Sequence, residues 1–195
     1  DAIVINTCCF IHDAKEESVN TILEMAEYKK TGTCKILIVT GCMAQRYKEE
    51  ITEEIPEVDA VLGTTSYGDI VKALNEAEAG HVFQEFKDIN ALPEDSGRRV
   101  ITTGGHFGYL KIAEGCDKHC TYCIIPSLRG KFRSVPEERL LKQAEYMASQ
   151  GVRELILVAQ ETTVYGTDLY GKKTLHILLK KLCQIKGIRW IRVLY

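Results

Sequence analysis

The chain has 195 residues, 45% of them hydrophobic and 27% charged, with eight cysteines and a net charge of −2 at neutral pH. That length allows one or two domains with buried cores, and the cysteines are too few for a disulfide scaffold of this size. No apolar run approaches the ~18 residues of a membrane span, so composition predicts a reducing, cytoplasmic setting with no membrane partner.

The small net charge hides an asymmetry. Residues 1–100 carry a net −9 and residues 101–195 a net +7. A change of sign at the midpoint predicts two units facing different partners or each other, the alternative being two solvated surfaces of opposite sign with no role. The chain opens inside an apolar run, Ala2-Ile3-Val4-Ile5, without an initiator Met, and reads as the middle of a longer protein. The run predicts a buried strand ending at Asn6-Thr7-Cys8-Cys9. From His12 to Lys30 the period is helical, with Val19, Ile22, Leu23 and Ala26 on one face and Gly32 as a stop.

Lys35 to Thr40 predicts a second strand, delivering Gly41-Cys42; a helix follows over Met43–Glu54, then a strand over Val58–Leu62 and a helix over Tyr67–Ala79. Strand alternating with helix at this rhythm argues for a parallel sheet wrapped by helices. Ligands collect beyond the carboxyl ends of such strands, where Cys8 and Cys42 both stand. Cys34, at the start of its strand, lies roughly 26 Å from Cys42 at ~3.3 Å per residue and belongs to no shared site. Cys9 alternates away from Cys8, and Cys9, Cys34 and Cys183 read as small buried hydrophobes. Periodicity fades over 86–105, where Pro93, Gly97, Gly104 and Gly105 mark a linker between a domain at 1–85 and a second at 106–195.

The second domain opens with a strand over Tyr109–Ala113, which delivers the stretch Gly115–Cys123, G-C-D-K-H-C-T-Y-C. Cys116, Cys120 and Cys123 aim three thiolates at one centre, the task of an iron–sulfur ligand set. Three ligands on a four-iron cube leave one iron open to a chelating amine and carboxylate, which S-adenosylmethionine offers. Two other readings stand beside this one: a zinc site completed by His119 or His106, and a redox pair at Cys120 and Cys123. Ser134 and Pro136 begin a helix whose inward positions are Leu140, Leu141, Ala144, Met147 and Ala148. A strand over Glu154–Ala159 ends at Gln160-Glu161-Thr162, and a helix over Leu175–Gln184 leads to a strand over Ile188–Leu194. Three β/α steps of this kind are the opening of a parallel barrel, whose chemistry sits on loops at the carboxyl ends of the strands.

With its aromatic at Tyr122, the cysteine loop resembles that of the radical S-adenosylmethionine enzymes. I-N-T-C-C-F-I-H-D-A-K-E-E-S and V-T-G-C-M-A-Q-R-Y resemble the N-terminal domain of one branch, the methylthiotransferases. The resemblance implies an α/β chain: a parallel three-layer domain followed by the first part of a radical-SAM, partial TIM-type barrel. It implies a 4Fe-4S cluster on Cys116, Cys120 and Cys123, and a second whose ligands include Cys8 and Cys42, the first ligand lying upstream of Asp1. It further implies that Tyr122 packs on the adenine of S-adenosylmethionine and that Gln160 and Glu161 reach its methionine end. Arg129, Lys131 and Arg133 are expected to hold the cofactor carboxylate or the substrate, or else to form a solvated basic edge. Cys9 stands where the family is expected to carry glycine, and Val135 where it is expected to carry arginine.

Cys123-Ile124-Ile125-Pro126-Ser127-Leu128-Arg129-Gly130 and L-V-A-Q-E-T-T-V-Y-G resemble the branch that modifies ribosomal protein more than the branch that modifies tRNA. The implied reaction methylthiolates the β-carbon of an aspartate in a small-subunit ribosomal protein. An electron donor is implied as a partner, with RNA contact through a C-terminal domain beyond Tyr195. The rival readings are a tRNA adenosine methylthiotransferase and, from another class, a non-catalytic zinc-binding interaction module.

Overall fold

The computed structural model describes residues 1–92 and 99–195; Pro93 and Gly97 of the expected linker lie outside the described residues. The chain divides into two compact units, Asp1–Asp95 with Cys120–Arg129, and Ser96–His119 with Gly130–Tyr195.

In the first unit β1 (Ala2–Thr7), α1 (His12–Thr31), β2 (Ile36–Gly41), α2 (Cys42–Glu54), β3 (Ala60–Leu62), α3 (Ile70–Glu78) and β4 (Phe83–Glu85) alternate. The four strands pair in parallel in that order. Every residue of β2 is buried, as expected for an inner strand covered on both faces. Its side chains alternate between two cores. Leu37 and Val39 pack with Ile5, Ile22, Ala26 and Ile51 on the side of α1 and α2, while Ile36 and Ile38 pack with Ala60, Leu62 and Ala73 on the side of α3. This is a three-layer α/β arrangement. A short helix from further along the chain, α4 (Ile125–Arg129), belongs to the same unit, with Leu128 buried in the first of these cores.

Three details depart from the sequence reading. The buried stripe of α1 is Ser18, Ile22 and Ala26, whereas Leu23 is half exposed. Ser18 tolerates burial because its hydroxyl accepts the Cys8 N–H at 3.0 Å and lies 2.9 and 2.8 Å from the Cys8 and Ala14 carbonyls. The expected third helix begins as a 3-10 turn, Tyr67–Asp69, before α3. β4 was not expected: three residues are too few to show a period, and they form a strand because β3 offers an open edge.

In the second unit β5 (Phe107–Lys111) is followed by β6 (Ala113–Glu114), β7 (Arg133–Ser134), α5 (Glu137–Ser149), β8 (Glu154–Val158), α6 (Thr167–Tyr170), α7 (Leu175–Leu182) and β9 (Trp190–Val193). β5, β8 and β9 pair in parallel, while β6 and β7 form a separate antiparallel ribbon. Leu140, Ala144 and Met147 of α5, with Leu178 and Leu182 of α7, bury against Leu110, Leu155 and Leu157. Each fully buried leucine there contributes about 1.5–3 kcal/mol relative to exposure.

The N-cap of α5 is Pro136 rather than Ser134. Ser134 is fully buried and donates its hydroxyl to Asp168 Oδ1 at 2.6 Å. Cys183 is exposed, contrary to the sequence reading; Cys9 and Cys34 are buried. Among the described residues no helix is long and apolar enough to cross a membrane.

Candidate functional site

The cysteine loop leaves β6 through Gly115, whose φ of +75° suits glycine. A Cβ there would run into the carbonyls of Gly130 and Lys131. The backbone N–H of Cys116 donates to that Gly130 carbonyl at 3.1 Å. Asp117 Oδ1 accepts the Phe132 N–H at 2.9 Å, and Lys118 forms an ion pair with Glu161. The first half of the loop is therefore fastened to the segment Gly130–Phe132 that leads into β7 and to the loop after β8. Sequence reasoning missed Asp117, although an acidic residue directly after the first cysteine, ahead of a turn, is a side chain suited to accept a backbone N–H.

Cys120 to Cys123 form a tight turn, with the Cys123 N–H donating to the Cys120 carbonyl at 3.0 Å. Cys120 is exposed and Cys116 and Cys123 are half-buried, all three as free thiols. Tyr122 is 90% exposed. Among the described residues no three His, Cys, Asp or Glu side chains are gathered as a ready metal cage. What fits an iron–sulfur cluster is the chemistry of the donor set: three free thiols within nine residues, on a loop held at its base by backbone hydrogen bonds.

Gln160 and Glu161 follow β8 at its carboxyl end. Gln160 Oε1 is buried and has no hydrogen-bond partner among the described residues. A buried amide oxygen without a donor is costly, and it fits a ligand carrying an ammonium group. Glu161 is 12% exposed, and its carboxyl is held below the ordinary carboxylate range by hydrogen bonds from Lys118 and Thr163, against the opposing effect of burial.

The remaining cysteines sit in the first unit. The register pairs Thr7 with Gly41, so Cys8 and Cys42 each stand one residue past a paired couple at the same sheet edge. Gly41, at φ +98° and packed against the Thr7 carbonyl, makes the turn that starts α2 at Cys42. Cys34 lies before β2, its thiol donating to the Ile36 carbonyl at 3.4 Å.

Cys9 is buried in the same core as Cys42. Burial pushes its thiol pKa up, the sulfurs of Cys42 and Cys8 push the same way, and the Arg46 guanidinium partly offsets them. Cys9 is thus a small buried side chain of the first unit's core, as expected. Cys42 is 1% exposed, and Arg129 Nε donates to its sulfur at 3.1 Å. Arg129 was expected at the cofactor or on a solvated edge; its partner in the fold is a cysteine 87 residues away. Val135 serves through its backbone, whose carbonyl accepts the Tyr165 hydroxyl at 2.8 Å.

Residues 110–194 match the Radical SAM superfamily, and residues 1–63 match the uncharacterized protein family UPF0004. A radical S-adenosylmethionine methyltransferase, TsrM from Kitasatospora setae, solved with cobalamin and a 4Fe-4S cluster bound, shares the fold. Its TM-score is 0.60 at 11% identity, over 97% of this chain and 42% of that one. Among curated proteins, the chain is 66% identical over its whole length to the ribosomal protein uS12 methylthiotransferase RimO of Lachnoclostridium phytofermentans. It is 53% and 52% identical to the proteins of that name from Clostridium botulinum strain Eklund 17B and Clostridioides difficile. The chain spans 44% of the length of each of these relatives. The resemblance to the radical S-adenosylmethionine methylthiotransferases, and within them to RimO, holds along the whole chain.

Proposed function

We propose that this chain is part of an enzyme that methylthiolates the β-carbon of an aspartate in ribosomal protein uS12 by radical S-adenosylmethionine chemistry, in the cytoplasm. The observation that carries this reading is the set of three free thiols, Cys116, Cys120 and Cys123, within nine residues after β6, in a chain 66% identical to a uS12 methylthiotransferase. Residues 1–85 then form the methylthiotransferase domain, 86–105 the linker and 106–195 the first β/α units of the barrel.

Cys116, Cys120 and Cys123 would hold a 4Fe-4S cluster. Bound there, it supplies an electron, drawn from an external donor, that cleaves S-adenosylmethionine to the radical that removes hydrogen from the aspartate carbon. The protein's own part is to bind and orient. Gln160 offers its buried amide oxygen to the ammonium of the methionine moiety, and Glu161, held ionised by Lys118, stands in the same loop. Tyr122, exposed beside Cys123, is free to lie against the adenine. Cys8 and Cys42 would be two ligands of a second cluster, which would supply the sulfur of the methylthio group.

The test is anaerobic reconstitution with iron and sulfide, followed by assay for 5′-deoxyadenosine and for mass increase on uS12. Replacing any one of Cys116, Cys120 or Cys123 by Ala is expected to abolish 5′-deoxyadenosine formation. Cleavage that persists in the triple variant, or a loop that binds zinc and no iron, overturns the reading. Product on tRNA rather than on uS12 would redirect it to the other branch of the family.

A further inference from the structure

Arg129 ends the helix that follows the cysteine loop, and its guanidinium meets the thiol at the start of α2. We propose that Arg129 is a positioning residue for Cys42, fixing its sulfur at the carboxyl edge of the N-terminal sheet for metal ligation. The proposal rests on the reading of Cys42 as a cluster ligand.

Three observations carry it. The Arg129 Nε–Cys42 Sγ contact is 3.1 Å, and Cys42 as a residue is 1% exposed, so little water reaches it. The backbone bearing Arg129 is fixed at the residue before it. Leu128 is 4% exposed in the core, and its carbonyl accepts the Thr64 hydroxyl at 2.9 Å. Thr64 is in turn held through its N–H by Gln45 Oε1 at 3.1 Å. Gln45 and Cys42 both lie on α2, so one helix supports the ligand and, through Thr64, the segment that supplies its donor.

Guanidinium is planar and permanently charged, with donors in a fixed fork. A sulfur that keeps negative charge when it binds a metal accepts from such a donor more strongly than a neutral thiol does. Donors of this kind orient metal ligands, and losing one typically costs about 10- to 100-fold in metal affinity.

The experiment uses cadmium(II) alone as a thiophilic probe on the chain with Cys116, Cys120 and Cys123 replaced by Ser, reading affinity by calorimetry and thiolate-to-metal absorption by ultraviolet spectroscopy. Arg129→Gln is expected to weaken binding by about 10-fold or more. It should also move the absorption to lower energy, because the sulfur lone pair loses its hydrogen bond. Arg129→Lys keeps the charge and the aliphatic stem and is expected to fall between, which separates lost donation from lost packing; circular dichroism checks that each variant folds. If Arg129→Gln matches the parent in affinity and spectrum while Cys42→Ser loses binding, the proposal is overturned and the ligand reading survives. If Cys42→Ser binds like the parent, the ligand reading fails and takes the proposal with it.

Discussion

Glu161 shows how a single side chain here ties a candidate binding loop to protonation. Its carboxyl is held low by Lys118 and Thr163, so the folded state favours the ionised form. A carboxyl whose folded pKa lies below its unfolded one stabilises the fold above the ordinary carboxylate range, and that stabilisation is lost as pH falls toward the folded pKa. Lys118 is 63% exposed, which limits such a pair to at most about 1 kcal/mol, or roughly 2–4 °C in a chain of this size. Thermal melts of Glu161→Gln are therefore expected to lie slightly below the parent at pH 7 and to converge with it only as pH falls below the ordinary carboxylate range. A gap that stays constant with pH would mean that the ion pair contributes nothing. At this scale the sequence located Cys8 and Cys42 just past paired strand ends, because the strands that deliver them are long enough to read, while it misjudged Cys183, which is exposed. It could not show the Arg129–Cys42 contact, since no local period links residues 87 apart.

At the scale of elements, the turn between β2 and α2 is the most demanding piece of backbone near a candidate ligand. Gly41 combines a φ of +98° with close packing on Thr7, so Gly41→Ala meets both strain and a clash. The expected loss is at least about 1–3 kcal/mol of unfolding free energy, read by urea denaturation, with Cys42 displaced from the sheet edge. A neutral substitution would show that β1 shifts to make room. The longer elements were legible because α1, α2, α5 and the strands β1, β2, β5 and β8 run over enough residues to declare a pattern. β4, α4, α6 and β7, of three, five, four and two residues, are too short for that. They exist because tertiary partners hold them, as Thr64 holds Leu128 and Asp168 holds Ser134.

For the molecule as a whole, the two units are not two consecutive lengths of chain. Residues Cys120–Arg129 belong with Asp1–Asp95, so the linker legible in the sequence is a change in composition and not the last crossing. Leu128→Ala is expected to destabilise the first unit by about 2–5 kcal/mol, the cost of a cavity in a packed core. A fragment ending at residue 95 lacks the same side chain and is expected to melt early for the same reason. Equal stability of that fragment and the complete chain would show that α4 adds nothing. The same arrangement sets an order in time. During synthesis the sheet that carries Cys8 and Cys42 emerges first, but its last core residue and the partner of Cys42 follow more than thirty residues later. At about 5–20 residues per second that is a wait of a few seconds. Through that interval the nascent chain carries an unfinished core and a thiol without its guanidinium, so this stretch of translation is where a holdase or an oxidant would find it.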